Sequence, residues 1–144
     1  MPRSRPPRDP LPEFFVDRSL GYHLLPDALR KLGLVVHTMR SVYGPGAEET
    51  VPDTVWLAQV GRAGWVALTK DDAIRRRPAE LQALVAHGVR AFCLTNASLT
   101  GEQQRDRFVT NINRMIQRAR RPGPWICAVY ERQLVQIWPK PSKQ

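Results

Sequence analysis

The chain has 144 residues, which is enough for one domain with a buried core and too few for two of ordinary size. Hydrophobic residues make up 42% and charged residues 24%, a balance that excludes a disordered chain, and no apolar run reaches the ~20 residues of a membrane span. Because no basic and apolar leader opens the chain either, we expect a globular protein of the cytoplasm that does not enter the membrane.

The charge of the chain is strongly positive. Lysine and arginine number 22 against 13 aspartate and glutamate residues, a formal net charge of +9 at pH 7. Such an excess favours a polyanionic partner, because each cationic side chain that meets a phosphate releases condensed counterions. Nucleic acid is therefore the favoured partner. An acidic protein partner, or a GC-rich genome that encodes arginine often, would account for the same composition.

The two ends of the chain differ in composition from its middle. Residues 1–12 contain five prolines and three arginines, which predicts a flexible basic arm without helix or strand. Residues 140–144 form a short polar tail. We therefore predict one domain over residues 13–139.

Strand and helix patterns alternate through this domain. In chain order they predict a strand at 13–16, a helix at 22–32, a strand at 34–39, a loop at 43–46, a helix at 54–62, a strand at 65–69, a helix at 78–87, a strand at 89–94, a helix at 99–120, and strands at 125–130 and 134–138 around a turn at 131–133. This alternation predicts an α/β fold with a mostly parallel central sheet, helices on both of its faces and a C-terminal hairpin.

Aspartates stand where two of the predicted strands end. Asp17 directly follows the first strand, and Asp71 and Asp72 directly follow the third. Asp53 is predicted to cap the helix that leads into the third strand. Since parallel strands end at one edge of a sheet, where ligands bind, these carboxylates are expected to lie close together. They would repel one another without a cation, and hard oxygen ligands select Mg²⁺ or Mn²⁺.

Simpler explanations exist for each of these residues. Aspartate is a common turn residue at strand ends, and Asp53 could be a helix cap and nothing more. Two further polar residues, Thr69 and Asn96, are predicted at the same edge. Other α/β functions lack their motifs: no GxGxxG, no GxxxxGK[ST] and no GxSxG is present. A phospho-receiver domain would need paired acids after the first strand, where Asp17 is followed by Arg18.

Two segments resemble a known family. FFVDRSLGYHLLPDALRKLGLVVHTM and PDTVWLAQVGRAGWVALTKDDAI are similar to the PIN-like proteins related to VapC toxins, most of all the short mycobacterial toxin-like group. The shared pattern is a strand ending in Asp, a helix ending in Gly, an apolar strand, an acid at a helix start and a strand ending in Thr-basic-Asp. The resemblance covers about residues 14–74. It implies a PIN-like three-layer sandwich.

The resemblance also implies an activity. Such proteins are divalent-metal endoribonucleases that hydrolyse RNA phosphodiester bonds, often as the toxin of a toxin–antitoxin pair and often as homodimers. Asp17, Asp53 and Asp71 match the family's catalytic and metal-binding acids. The chain departs from the fuller pattern of four acids, for which Asp72 is a candidate. The alternative is a PIN-like module that has lost catalytic competence and binds RNA or a partner protein.

Three consecutive arginines follow the acidic turn. Arg75, Arg76 and Arg77 would stand beside the predicted metal site, where they could hold the backbone of flanking RNA. A solvated loop would explain them as well.

A second set of arginines lies in the long predicted helix. Arg107, Arg114, Arg118 and Arg121 share one face at helical spacing. Four like charges on one face favour a bound phosphate backbone, so we predict that Arg114 and Arg118 contact RNA. The competing interpretation is a face that only meets solvent.

Overall fold

The computed structural model describes residues 10–46 and 49–141. Most of the predicted basic arm (1–12) and part of the predicted tail (140–144) lie outside these residues. The predicted domain boundaries therefore stay predictions.

The described chain forms one six-stranded sheet. Its strands are β1 (Phe14–Val16), β2 (Val36–Thr38), β3 (Val66–Thr69), β4 (Arg90–Cys93), β5 (Trp125–Val129) and β6 (Leu134–Trp138), arranged in the order β2-β1-β3-β4-β5-β6. The first five strands are parallel, and β6 pairs antiparallel with β5. The predicted α/β fold, with its mostly parallel sheet and C-terminal hairpin, is confirmed.

Five α-helices connect and cover the strands. They are α1 (Leu24–Lys31), α2 (Met39–Tyr43), α3 (Asp53–Ala63), α4 (Pro78–Ala86) and α5 (Gly101–Arg118). Each predicted helix is present with ends that differ by at most two residues, whereas α2 replaces the end of a predicted strand and the start of a predicted loop. Its first turn is fixed by a capping box, in which the Thr38 hydroxyl accepts from the Ser41 N–H at 3.1 Å and the Ser41 hydroxyl accepts from the Thr38 N–H at 2.8 Å.

The helices form a layer on each face of the sheet. Side chains alternate along a strand, so Phe14 and Val16 of β1 face one layer and Phe15 faces the other. The first face packs against α1 and α5, with Phe108 in its core. The second packs against α3 and α4, with Trp56 in its core. The result is a three-layer sandwich in which β1, β3 and β5 are buried on both faces, as strands of parallel sheets usually are.

The pairing of β1 with β3 positions the candidate site. Val16 is opposite Leu68, so the next residues along each strand, Asp17 and Thr69, emerge side by side at the carboxyl edge of the sheet. The Asp17 N–H continues the ladder by donating to the Leu68 carbonyl at 2.9 Å. None of the helices in the described part of the chain has the length and apolar character that crossing a membrane requires.

Candidate metal centre

Asp17 lies at the bottom of the site and is 5% exposed. Its Oδ2 accepts hydrogen bonds from the Ser19 hydroxyl at 2.8 Å and from the Thr69 hydroxyl at 3.0 Å. Burial raises the pKa of this carboxyl, because a buried charge loses its hydration, and the two hydroxyl donors oppose the shift only in part. Its Oδ1 accepts no hydrogen bond from any residue that the structure describes.

Thr69 connects Asp17 to the turn that carries Asp71. The Thr69 hydroxyl, which donates to Asp17, also accepts from the Asp71 N–H at 3.0 Å. Asp71 Oδ1 then accepts from the Ala73 N–H at 3.1 Å and begins a short 3-10 helix, Asp72–Arg76. The Thr-Lys-Asp sequence is therefore a hydrogen-bonded turn that fixes the direction of both carboxylates.

Asp53 is the first residue of α3 and does not cap it. Pro52 occupies the N-cap position, and the prediction that Asp53 is the cap is wrong. Asp53 Oδ1 instead accepts from the Trp56 indole N–H at 2.8 Å, and Arg18 lies 3.5 Å from the same oxygen. Because the Trp56 ring is stacked on Phe15 in the core, this hydrogen bond holds the carboxylate against the body of the protein.

Glu80 joins the site from α4 and was not among the residues predicted from the sequence. Asp53, Asp71 and Glu80 each offer a carboxylate oxygen, and these three atoms lie within 4.8 Å of one another. Burial raises the pKa of Glu80, the bonded Arg77 lowers it, and the nearby Asp53 charge raises it again. An acid in the first turn of a helix is ordinary. In the sequence, Glu80 therefore looks like any acid in the first turn of a helix, and nothing marks it as part of a site.

The three carboxylates fit a hard divalent cation. Two oxygens on opposite sides of a Mg²⁺ are about 4.2 Å apart, since each metal–oxygen bond is about 2.1 Å long, so a group within 4.8 Å needs only small movements to close on the ion. The set contains neither cysteine nor histidine, which separates it from the ligand sets of structural zinc. Asp17 is outside this group and is connected to it through Thr69.

An arginine lies among the same carboxylates. Arg77 Nη1 is 2.7 Å from Asp71 Oδ2, 2.8 Å from Glu80 Oε2 and 3.9 Å from Asp53 Oδ2. The hydrogen bonds to Asp71 and Glu80 raise the pKa of the Arg77 guanidinium. Arg77 thus supplies part of the positive charge that this acidic group requires.

The other members of the arginine triplet do not form a loop. Arg75 and Arg76 belong to the 3-10 helix Asp72–Arg76, and both lie near Asp72 Oδ2, at 3.8 and 3.6 Å. Asp72 is therefore engaged by two arginines and is not part of the three-carboxylate group. Asn96, after β4, uses its Oδ1 to accept from the Ser98 N–H at 2.9 Å and is exposed. Neither residue is brought into the site in the way that Glu80 is.

The predicted arginine face of α5 lies elsewhere. Arg114 and Arg118 line a separate cavity together with residues of the β5–β6 hairpin. Arg107 does not line that cavity and is found in a second depression beside Asp106 and Glu131.

Buried and clustered acids thus lie at the carboxyl edge of a mostly parallel sheet, and sequence comparison shows to which family the chain belongs. Residues 12–96 match the family described as "PIN like domain", so the chain belongs to that family. The matched range contains Asp17, Asp53, Asp71 and Glu80.

The chain is also similar to a named relative. A Mycobacterium tuberculosis (strain ATCC 25618 / H37Rv) protein named "Putative ribonuclease VapC45" is 35% identical over 127 residues, which cover 88% of this chain and 92% of that protein. This confirms the predicted relation to VapC-type PIN-like proteins. No solved structure gave a significant match.

Proposed function

We propose that the protein is a divalent-metal-dependent endoribonuclease that hydrolyses RNA phosphodiester bonds with Mg²⁺ or Mn²⁺ as cofactor. One observation carries the proposal: carboxylate oxygens of Asp53, Asp71 and Glu80 lie within 4.8 Å of one another beside a buried Asp17. The name of the M. tuberculosis relative, as a ribonuclease, supports the choice of reaction and substrate.

Each acid has a separate role in this proposal. Asp53, Asp71 and Glu80 would hold the cation, and Asp17 is a further candidate ligand through its Oδ1. When bound, a divalent cation supplies a polarised water and charge stabilisation at the phosphodiester. Asp17 would also keep Asp71 in place, because Thr69 hydrogen-bonds to both residues.

The arginines near the site would bind the RNA that flanks the cleaved bond. Arg76 is the most available of the triplet, since its side chain is 63% exposed and its distance to Asp72 is 3.6 Å. Arg75 is more buried and would contribute mainly through Asp72, while Arg77 would balance the charge of the carboxylates. Contacts of this kind position the backbone without reading sequence.

The partners follow from the resemblance to VapC-type toxins. We propose that the protein acts as a toxin in the cytoplasm, is blocked by an antitoxin protein that covers the acidic edge, and forms homodimers. Size-exclusion chromatography with light scattering tests the dimer. Growth after expression alone tests toxicity. A monomer at micromolar concentration that leaves growth unaffected would contradict both parts.

The second candidate is a PIN-like RNA- or partner-binding module without catalysis. The position of Arg77 favours it, because the guanidinium contacts the carboxylates that a metal would need. Asp72 favours it too, because a fourth acid paired with two arginines is less available to a cation.

Incubation with total RNA in Mg²⁺, Mn²⁺ or EDTA separates the two candidates. Cleavage is expected with either metal and not in EDTA. Asp71→Asn should reduce the rate on the order of a hundredfold or more, because it removes a charged ligand without changing shape. Asp27→Asn is the matched control, since Asp27 is an exposed carboxylate on α1 that pairs only with Arg30 among the described residues. Cleavage in EDTA, or a fully active Asp71→Asn, would exclude the metal-dependent mechanism.

A further inference from the structure

We propose that the cavity between α5 and the β5–β6 hairpin is a second RNA-binding site, which holds the phosphate backbone of single-stranded RNA away from the acidic edge. The proposal rests on the proposed function for its ligand, and its test is independent of cleavage. The cavity has a volume of about 550 Å³ and is lined by Arg114, Gln117, Arg118, Arg121, Arg132, Gln133 and Leu134.

The four arginines of this cavity come from two parts of the chain. Arg114 and Arg118 lie one turn apart on α5, and Arg121 follows the end of that helix. Arg132 comes from the hairpin turn. None of the four has a carboxylate within ion-pair distance among residues 10–46 and 49–141. Four uncompensated charges around one cavity repel each other, and a bound polyanion would relieve that repulsion.

A buried amide holds the hairpin against the helix. Asn111 of α5 is 0% exposed, and its Nδ2 donates to the carbonyls of Tyr130 at 2.9 Å and Glu131 at 3.2 Å. These bonds fix the backbone of the two residues before Arg132, and Arg132 lines the cavity together with the arginines of α5. The arrangement of the cavity is therefore set by the fold.

The composition of the walls favours a phosphate backbone over an acidic protein. Among the described residues that line the cavity, Leu134 is the one apolar side chain, whereas protein interfaces have an apolar centre. Gln117 and Gln133 can donate hydrogen bonds to phosphate or ribose oxygens. The neighbouring depression differs, because Arg107 and Arg132 line it together with two acids, Asp106 and Glu131.

The experiment compares two variants of equal charge. Arg114→Gln/Arg132→Gln removes two charges from the cavity at exposed positions. Lys31→Gln/Arg62→Gln removes two charges from the ends of α1 and α3, where both side chains are exposed. Binding of a labelled single-stranded RNA is measured by fluorescence anisotropy in EDTA over a series of KCl concentrations, so that no metal-dependent cleavage occurs. Circular dichroism verifies that each variant is folded.

The cavity variant should lower the log–log salt slope by about 1.4 and the affinity roughly 25-fold near 0.1 M salt, because each phosphate contact on a single strand contributes ~0.7 to the slope. The control variant should change both by much less.

Equal losses in the two variants, or an unchanged slope in the cavity variant, would overturn the proposal. So would displacement of the RNA by poly-glutamate as effectively as by poly-uridylate, which would indicate an acidic protein ligand. A protein that binds in this way and never cleaves RNA would contradict the proposed nuclease and leave the second site standing.

Discussion

Arg77 is surrounded by carboxylates from three elements of the structure. Its Nη1 lies within 2.8 Å of oxygens from Asp71 and Glu80, and Asp53 is 3.9 Å away. The side chain is 47% exposed, so solvent screens these attractions, and their contribution to stability is about 0.5–1 kcal/mol. The guanidinium and a divalent cation would bind overlapping sets of oxygens, and we expect them to compete.

We therefore predict that Arg77→Gln raises the affinity of the protein for Mn²⁺ severalfold and lowers its stability in EDTA by about 0.5–1 kcal/mol. Calorimetric titration and urea unfolding measure the two effects. Arg76→Gln is the control, because it removes the same charge close by and pairs only with Asp72 among the described residues. A weaker Mn²⁺ affinity in Arg77→Gln would show that Arg77 organises the ligands instead of competing for them.

Asp17 gives the stability of the fold a dependence on pH. Its ordinary pKa of 3.8 is raised in the folded protein, mainly by burial, so the folded state holds its proton to a higher pH than the unfolded state does. Stability is therefore lost as the pH rises from the unfolded value through the raised folded value.

Relative to Asp17→Asn, the wild type should lose stability as the pH rises above the ordinary pKa of 3.8, because only the wild type must ionise a buried group. Urea unfolding in EDTA across this range measures the difference. Asp27→Asn, at an exposed position, is the control. A difference between wild type and Asp17→Asn that is the same at every pH would contradict the prediction.

Helices α3 and α4 carry two of the three clustered acids, and a glycine sets their separation. A Cβ added at Gly61 would lie 2.4 Å from both the Cβ and the carbonyl oxygen of His87, at the end of α4. No real contact is that short, so a side chain at this position would push the helices apart. Asp53 and Glu80 lie in the first turns of these two helices, and their approach depends on how the helices pack.

Gly61→Ala should destabilise the protein by about 1–3 kcal/mol, the usual cost of overpacking, although alanine is otherwise the better helix former. It should also weaken Mn²⁺ binding by separating Asp53 from Glu80. Gly101→Ala is the control, because its added Cβ would meet Leu24 at an ordinary 3.6 Å. Thermal unfolding compares the two variants, and equal stability would contradict the packing argument.

At the scale of the whole molecule, the acidic site and the arginine cavity lie at two separate places along the sheet. The acidic site lies where β1 and β3 end, with two of its acids on α3 and α4, and the arginine cavity lies beyond β5 at the other end of the sheet. The net charge of +9 attracts polyanions to the molecule as a whole, but it does not decide where they bind. A cation at the acidic edge would bind the folded chain and not the unfolded one.

Mn²⁺ should therefore stabilise the whole fold, by about 2.7 kcal/mol at a concentration a hundredfold above its dissociation constant. For a domain of this size the shift in Tm is on the order of 5–10 °C. Asp71→Asn should lose most of this shift, and Asp27→Asn should keep it. A shift of the same size in both variants would place Mn²⁺ elsewhere on the protein.

The alternation of apolar strands and helices was enough to predict the architecture from the sequence. Local periodicity determines which segments can bury a face, and the preference for parallel strands in buried sheets then limits the topology. Asp17, Asp53 and Asp71 could be selected for the same reason, since each follows a strand or begins a helix at a predictable edge. Their roles as ligands remain proposals.

Contacts between distant segments could not be predicted in this way. Glu80 joins Asp53 and Asp71 only because α4 packs closely on α3, and the same packing brings Arg77 within 3.9 Å of Asp53. Such proximity depends on the packing of whole elements, which leaves no mark in the local spacing of residues.

The arginine cavity, too, could be predicted only in part from the sequence. Helical spacing alone placed Arg114 and Arg118 on one face. The position of the β5–β6 hairpin decides that Arg132 lines the cavity and that Arg107 does not. The buried Asn111 holds this hairpin through hydrogen bonds to residues about 20 positions further along the chain. The sequence by itself determined the elements and their polar faces, and the tertiary structure decided which faces meet, because only the folded chain brings distant side chains within bonding distance.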